Sequence, residues 1–209
     1  MAFDARSPWN SLPPWPAGAG LAFGNPPRMT PQPNPFNGDI RHLTITELHS
    51  LGDDAVRSLL AEFVPLTHAS EIAIWAKDPG ADQLVALLDT SGPGGGFELK
   101  VTQPLNSGIV SQVYHEQTNF LDQGLWRSKQ RSPLVDQALH QLTQNEMCVP
   151  FRLAGHRLGV MSAVQLTDRK HQAPTRWGFD EHDLKILKLA AQAVGQAMER
   201  SLLAKQLGR

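Results

Sequence analysis

Two apolar periods alternate along the chain from about residue 45 onward. Val56, Leu59, Leu60 and Phe63 recur at helical spacing behind Gly52, Asp53 and Asp54, whose carboxylates suit a helix start, and Pro65 marks its end. The period then changes to two. Ile72, Ile74 and Ala76 predict a strand, Asp78, Pro79 and Gly80 a turn, and Leu84 to Leu88 a second strand of the same hairpin. After a glycine-rich loop at 92–96, Phe97, Leu99 and Val101 alternate as a third strand. Ile109, Val110, Val113 and Tyr114 fit a short helix behind Asn106, Ser107 and Gly108, with a polar cap, and Asn119 to Leu121 fit an edge strand.

Ser132 and Pro133 open another predicted helix with Leu134, Val135, Ala138, Leu139 and Leu142 as its stripe. Met147 to Phe151 and Leu158 to Leu166 predict two apolar strands around a turn at Ala154, Gly155 and His156. A last helix is expected from about Asp180 to Leu207. The order is helix, three strands, short helix, edge strand, helix, two strands, helix. Adjacent strands with helices at the ends imply an α+β fold on an antiparallel sheet.

Three stretches resemble the GAF domain family. LNSGIVSQVYHEQTNFLDQ (105–123) is similar to its glycine turn, short helix and following strand. MCVPFRLAGHRLGVMSAVQL (147–166) is similar to its central hairpin, and FDEHDLKILKLAAQAVGQAMERS (179–201) to its closing Phe, acidic cap and long helix. The resemblance implies a GAF/PAS-like six-stranded antiparallel sheet, with helices from both chain ends on one face and a ligand pocket on the other. It covers roughly residues 50–207, and with the composition and the onset of periodicity the chain divides into a Pro-rich arm, 1–44, and a GAF-like domain, 45–209. Mapped by the resemblance, the pocket holds Phe97, Ile109, Tyr114, Phe120, Asp122, Trp126, Asp136 and His140. Aromatic walls with a few polar groups suit a small organic ligand, and free N–H groups at the start of the 108–115 helix suit an anionic part of it.

The ligand signatures of the family are incomplete here. Cyclic-nucleotide binders carry Asn-Lys, Phe and Asp-Glu where this chain has Asp168, Arg169, Phe179, Asp183 and Leu184. Reductases of this family need a second thiol to discharge the oxidised first one, and Cys148 is the single cysteine. Cys148 lies between Met147 and Val149 on an apolar strand, where a buried inert thiol is expected. No haem, bilin or metal signature is present, so the cofactor is left unknown and a non-enzymatic role is expected.

The last helix carries a wide apolar arc. Leu184, Leu187, Ala191, Val194 and Met198 form one stripe, and Ile186, Ala190, Ala193 and Ala197 a second. At about 27 residues it runs ~40 Å, against about 12 residues for the 53–64 helix. Its end therefore overhangs, and a homodimer through Leu187, Ala191, Val194, Met198 and Leu202 is the expected cover. Packing of the arc on the 53–64 helix is the alternative.

Composition narrows the function. Nineteen basic against 20 acidic residues give a net charge of -1, which excludes a global field for nucleic acid. No apolar run approaches a membrane span, no secretory leader pattern is present, and a lone cysteine suits a reducing compartment; a cytoplasmic protein is expected. Residues 1–40 hold nine of the 16 prolines together with Phe3, Trp9, Trp15, Phe23 and Phe36. That composition opposes regular structure and suits either a tail or an arm that docks on a protein partner. The expected function is a regulatory module that binds a small molecule, dimerises, or both, and signals to a partner in trans. The alternative is a structural adaptor that uses the arm and the last helix.

Overall fold

The computed structural model describes residues 40–91, 96–121, 142–167 and 176–208, apart from the Arg41 side chain. Six strands form one antiparallel sheet: β1 (Glu71–Lys77), β2 (Gln83–Asp89), β3 (Thr102–Pro104), β4 (Phe120–Leu121), β5 (Thr143–Leu153) and β6 (His156–Leu166), in the order β3-β2-β1-β6-β5-β4. The helices are α1 (Ile45–His49), α2 (Asp54–Leu66), α3 (Ile109–Glu116) and α4 (Glu181–Gln206). The predicted helix at 132–142 falls largely outside the described residues.

The sheet separates two apolar clusters. On the helix side, Ile72, Ile74, Met147, Val149, Phe151, Met161 and Ala163 meet Val56 and Leu60 of α2 and Leu184, Leu187, Val194 and Met198 of α4. On the opposite side, Ala73, Trp75, Leu84, Ala86, Cys148 and Val160 meet Phe97, Val101, Ile109, Val110 and Val113. Alternation along β1 therefore sends side chains to two interiors, which is why that strand is apolar at nearly every position. A bulge between Ile74 and Trp75 lets Leu87 and Leu88 both join the helix-side cluster. Gly159 sits where β6 crosses closest to β1: a Cβ there would stand 1.6 Å from the Trp75 carbonyl oxygen.

The helix ends follow their capping residues. Asp53 accepts the Val56 N–H at 3.0 Å and starts α2. Asp180 accepts from His182 and Asp183, and Asp183 bonds back to the Asp180 N–H at 2.9 Å, closing a capping box on α4. α2 runs one residue past Pro65, to Leu66.

Three sequence expectations are corrected. Phe97, Leu99 and Val101 do not form a strand, since Lys100 and Val101 both donate backbone N–H to the Phe97 carbonyl and Leu99 adopts φ 58. The segment is a turn because two carboxylates hold it. Asp89 accepts the Phe97 N–H at 3.0 Å, and Glu98 turns back to Arg57 at 2.5 and 2.8 Å, with His49 Nε2 2.9 Å away. The third strand forms just beyond, at Thr102–Pro104. Second, α3 has no side-chain cap: Gly108, at φ 80, occupies the N-cap position that Asn106 and Ser107 were expected to serve.

Third, the end of α4 does not overhang. α1, which the apolar period did not predict, lies beside it: Lys205 Nζ donates to the Ser50 carbonyl at 2.5 Å and to its hydroxyl at 2.8 Å, and Ser201 Oγ donates to Asp53 at 2.7 Å. Leu48, Leu51 and Leu202 share the helix-side cluster. Ile40, on the arm side of the expected boundary at residue 45, is also buried there. α4 is pinned at mid-length as well. A Cβ at Gly195 would stand 2.7 Å from the Arg152 carbonyl oxygen, and the Glu199 carboxylate accepts the Ala154 N–H.

Two outcomes test this packing. Gly159→Ala should cost about 3 kcal/mol or more, because backbone of β1 must give way, read as the shift in the urea unfolding midpoint. Burial pushes the Glu98 carboxyl up, but the Arg57 guanidinium, the Asp89 N–H and His49 together hold it down at about 2, below its ordinary 4.5. Its contribution to stability is therefore complete above about pH 4.5 and is lost as pH falls through about 2. Acid titration of unfolding should show this loss in the wild type, whereas Glu98→Gln should be less stable at neutral pH and flatter across that window.

Candidate functional site

The face of the sheet opposite α2 and α4 carries the candidate site. Its floor is built from β1, β5 and β6. Trp75 Nε1–H donates to Ser162 Oγ at 2.9 Å across the β1–β6 pair, and Cys148 faces Ser162 across the β5–β6 pair. The Trp75 and Ser162 polar atoms are buried beside an apolar cluster and hydrogen-bonded to each other, which fixes the indole plane. Phe97 lies against Trp75 with ring centroids 5.9 Å apart. α3 covers the rest, anchored by Ser111 Oγ donating to the Pro104 carbonyl at 2.6 Å.

Of the residues assigned to the pocket, the structure brings four together on this face. Phe97 and Ile109 are buried within the cluster, and Tyr114 and Phe120 are half-buried at its margin. Arg157 lies over the Tyr114 ring at 5.0 Å and donates to the Tyr114 carbonyl at 3.1 Å, so a cation closes that edge. Asp122, Trp126, Asp136 and His140 lie outside the described residues. At the start of α3, Asn106, Ser107, Gly108, Gln112 and His115 border a shallow depression of about 380 Å³.

Cys148 is fully buried, and its thiol donates to Glu146 at 3.3 Å. Burial, reinforced by the Glu146 carboxylate, pushes the thiol well above its ordinary value. The thiolate needed for nucleophilic or redox chemistry is thereby disfavoured. Asp183, the acidic position shared with the cyclic-nucleotide pattern, is consumed at the start of α4. It lies 3.0 Å from His68 Nδ1, binds Arg176, and is itself buried. Phe179 is buried in the helix-side core, and Asp168 and Arg169 lie outside the described residues.

The five side chains expected to meet a partner, Leu187, Ala191, Val194, Met198 and Leu202, all turn inward onto this chain's own core. The arc was wide enough to serve two surfaces, and the sheet takes the stripe assigned to the partner. What α4 leaves outside is a different line: Leu189, 60% exposed, with Ile186 and Ala193 half-buried beside it.

The sequence reading missed the groove on the helix side, about 680 Å³, bordered by His49, Arg57, Ser58, Thr90, Glu98 and Lys100. One signal for its α1 wall was present. Thr44 and Glu47 have the spacing of a capping box, and they close one, with Thr44 N–H donating to Glu47 at 2.7 Å. Among the described residues no helix is long and apolar enough to cross a membrane.

No curated protein matches the chain. Solved structures do. The chain is similar to the GAF domain of a phosphoenolpyruvate-protein phosphotransferase from Coxiella burnetii, at 12% identity and TM-score 0.56, over 78% of this chain and 92% of that one. It is similar to the GAF domain of a two-component sensor histidine kinase from Bacillus halodurans, at 12% identity and TM-score 0.53, over 73% and 97%. It is also similar to the free methionine-R-sulfoxide reductase from Neisseria meningitidis, at 17% identity and TM-score 0.50, over 80% and 95%. At these identities the likeness is one of fold. The sheet order, the helix placement and the two opposed cores agree with a sequence match to the GAF domain across residues 53–199, and the chain belongs to the GAF domain family.

Proposed function

We propose that this chain is a non-enzymatic regulatory module, which takes a small organic molecule on the α3 face and passes its state to another protein as a homodimer. The observation that carries this reading is the asymmetry of the two faces. The helix-side core is covered by α1, α2 and α4, and the groove on that side is bordered by charged and polar residues such as Arg57, Glu98 and Lys100, whereas the described cover of the other side is α3 and the 96–101 turn, with Tyr114 and Phe120 half-buried at the edge. Aromatic surface beside buried hydrogen-bonding groups is what a small-molecule site needs. GAF domains of a sensor histidine kinase and of a phosphotransferase share the fold, which supports a regulatory role. The raised Cys148 thiol, alone in the chain, supports the non-enzymatic part. The dimer surface in this reading is the outer line of α4, Ile186, Leu189 and Ala193, in place of the inward stripe.

The alternative, an adaptor that holds partners through residues 1–40 and α4, is favoured by one observation: Phe97 already packs on Trp75 and fills part of the face.

Native mass spectrometry of the full chain decides between them. The sensor reading expects a dimer carrying a small-molecule mass that Tyr114→Ala loses. A dimer of bare chains sinks the sensor and leaves the adaptor. Leu189→Glu should weaken self-association at least about tenfold in sedimentation velocity; an unchanged dimer places the interface elsewhere. Native Cys148 should resist a thiol reagent that labels it promptly in denaturant; prompt native labelling would reopen thiol chemistry.

A further inference from the structure

We propose that the 96–101 turn is a coupling arm between the two faces of the sheet, so that moving Phe97 on the α3 face loosens Glu98 from the helix face and, through α1 and α2, the last turns of α4. The proposal rests on the reading of the α3 face as the ligand face.

Neighbouring side chains of this turn go to opposite places. Phe97 enters the α3-side cluster against Trp75 at 5.9 Å. Glu98 reaches back to the helices, where it accepts from Arg57 Nη1 and Nη2 at 2.5 and 2.8 Å, lies 2.9 Å from His49 Nε2, and accepts the Asp89 N–H at 2.9 Å. Two consecutive Cα atoms are ~3.8 Å apart, so a displacement of one by more than a fraction of that distance must carry the other.

The turn moves as a unit. Asp89 accepts the Phe97 N–H at 3.0 Å and the Ser91 N–H at 2.8 Å. The Phe97 carbonyl accepts from Lys100 and Val101. Gly96 lies so close to Asp89 that a Cβ would stand 2.6 Å from its carboxylate. Slack that would absorb a shift of Phe97 is therefore small.

The far side of the arm is equally direct. Arg57 belongs to α2 and also donates from Nε to the Gly52 carbonyl at 2.9 Å, while His49 is the last residue of α1. Ser50 and Asp53, next to them, hold the end of α4 through Lys205 at 2.5 Å and Ser201 at 2.7 Å. A half-buried carboxylate that loses its guanidinium partner is left with an uncompensated charge. Making or breaking this contact would supply the two arrangements that transmission between distant sites requires.

Hydrogen exchange by mass spectrometry on the full chain, without ligand, tests the arm. Phe97→Ala should speed exchange in residues 45–50 and 201–206 by at least about threefold, as Glu98→Gln should. The double variant should add little to Glu98→Gln alone, because both cut the same connection. Val113→Ala removes packing from the same face at a residue of α3, outside the turn, and should leave both segments at the wild-type rate. Unchanged exchange in Phe97→Ala overturns the arm, and so does an equal effect from Val113→Ala, which would mean general loosening. Should Phe97→Ala not fold, Phe97→Leu carries the same comparison. An intact coupling in a protein that carries no ligand mass would sink the sensor reading and leave the arm; a bound ligand without coupling would do the reverse.

Discussion

Everything in this fold answers to a sheet whose central strands are apolar on both faces. β1 and β6 bury nearly every residue, and neither face meets water along its centre. Removing that surface from water is the main favourable contribution to folding, and it demands cover on two sides from one chain. The chain supplies unequal covers. Two long helices antiparallel to each other close one face, and a short helix with a held turn closes the other. The groove left on the helix side is bordered by Arg57, Glu98 and Lys100, whereas the second face presents the half-buried aromatic rings of Tyr114 and Phe120.

That inequality also accounts for what the sequence disclosed. Helices and strands with one exposed face announce themselves by period, and α2, β5, β6 and α4 fall close to where Leu60, Phe151, Met161 and Val194 place them. β1 and β2 were legible from turn chemistry at Asp78 and Gly80, where the Gly80 N–H donates to the Asp78 carboxylate at 2.9 Å. The alternation of Phe97, Leu99 and Val101 misled because a turn with an i to i+4 bond also brings its first and last residue to one side. The deciding groups, Asp89 and the Arg57 and His49 partners of Glu98, lie elsewhere in the fold, and a local window does not hold them. α1 was too short to show a period, although its Thr44 and Glu47 cap was readable.

The site was legible in part and for a different reason. The family resemblance placed Phe97, Ile109, Tyr114 and Phe120 on one face, and they share it. Periodicity by itself does not say which of two apolar stripes on α4 faces inward, since both satisfy the same spacing. The sheet decides: Leu187, Ala191 and Val194 fit against β5, and the small residue Ala193 is left toward the outside. Buried polar groups were the least visible feature. The Trp75 and Ser162 pair is formed by residues 87 positions apart, and no reading of neighbours in sequence brings them together.

The contact at Gly195 restricts how the long helix can take part in any change of state. Its backbone lies on the Arg152 carbonyl with no room for a Cβ, and the residues one turn to either side, Ala191 and Glu199, both carry one. Sliding α4 along its axis by a turn would drive a side chain into that carbonyl. The ends of the helix are held by ion pairs and hydrogen bonds, from Arg176 at one end and Lys205 at the other, and by the buried Leu184 and Leu202. Gly195 thus sets the register of α4 on the sheet: of the motions open to a helix on a sheet, piston travel by a turn is the one this contact blocks.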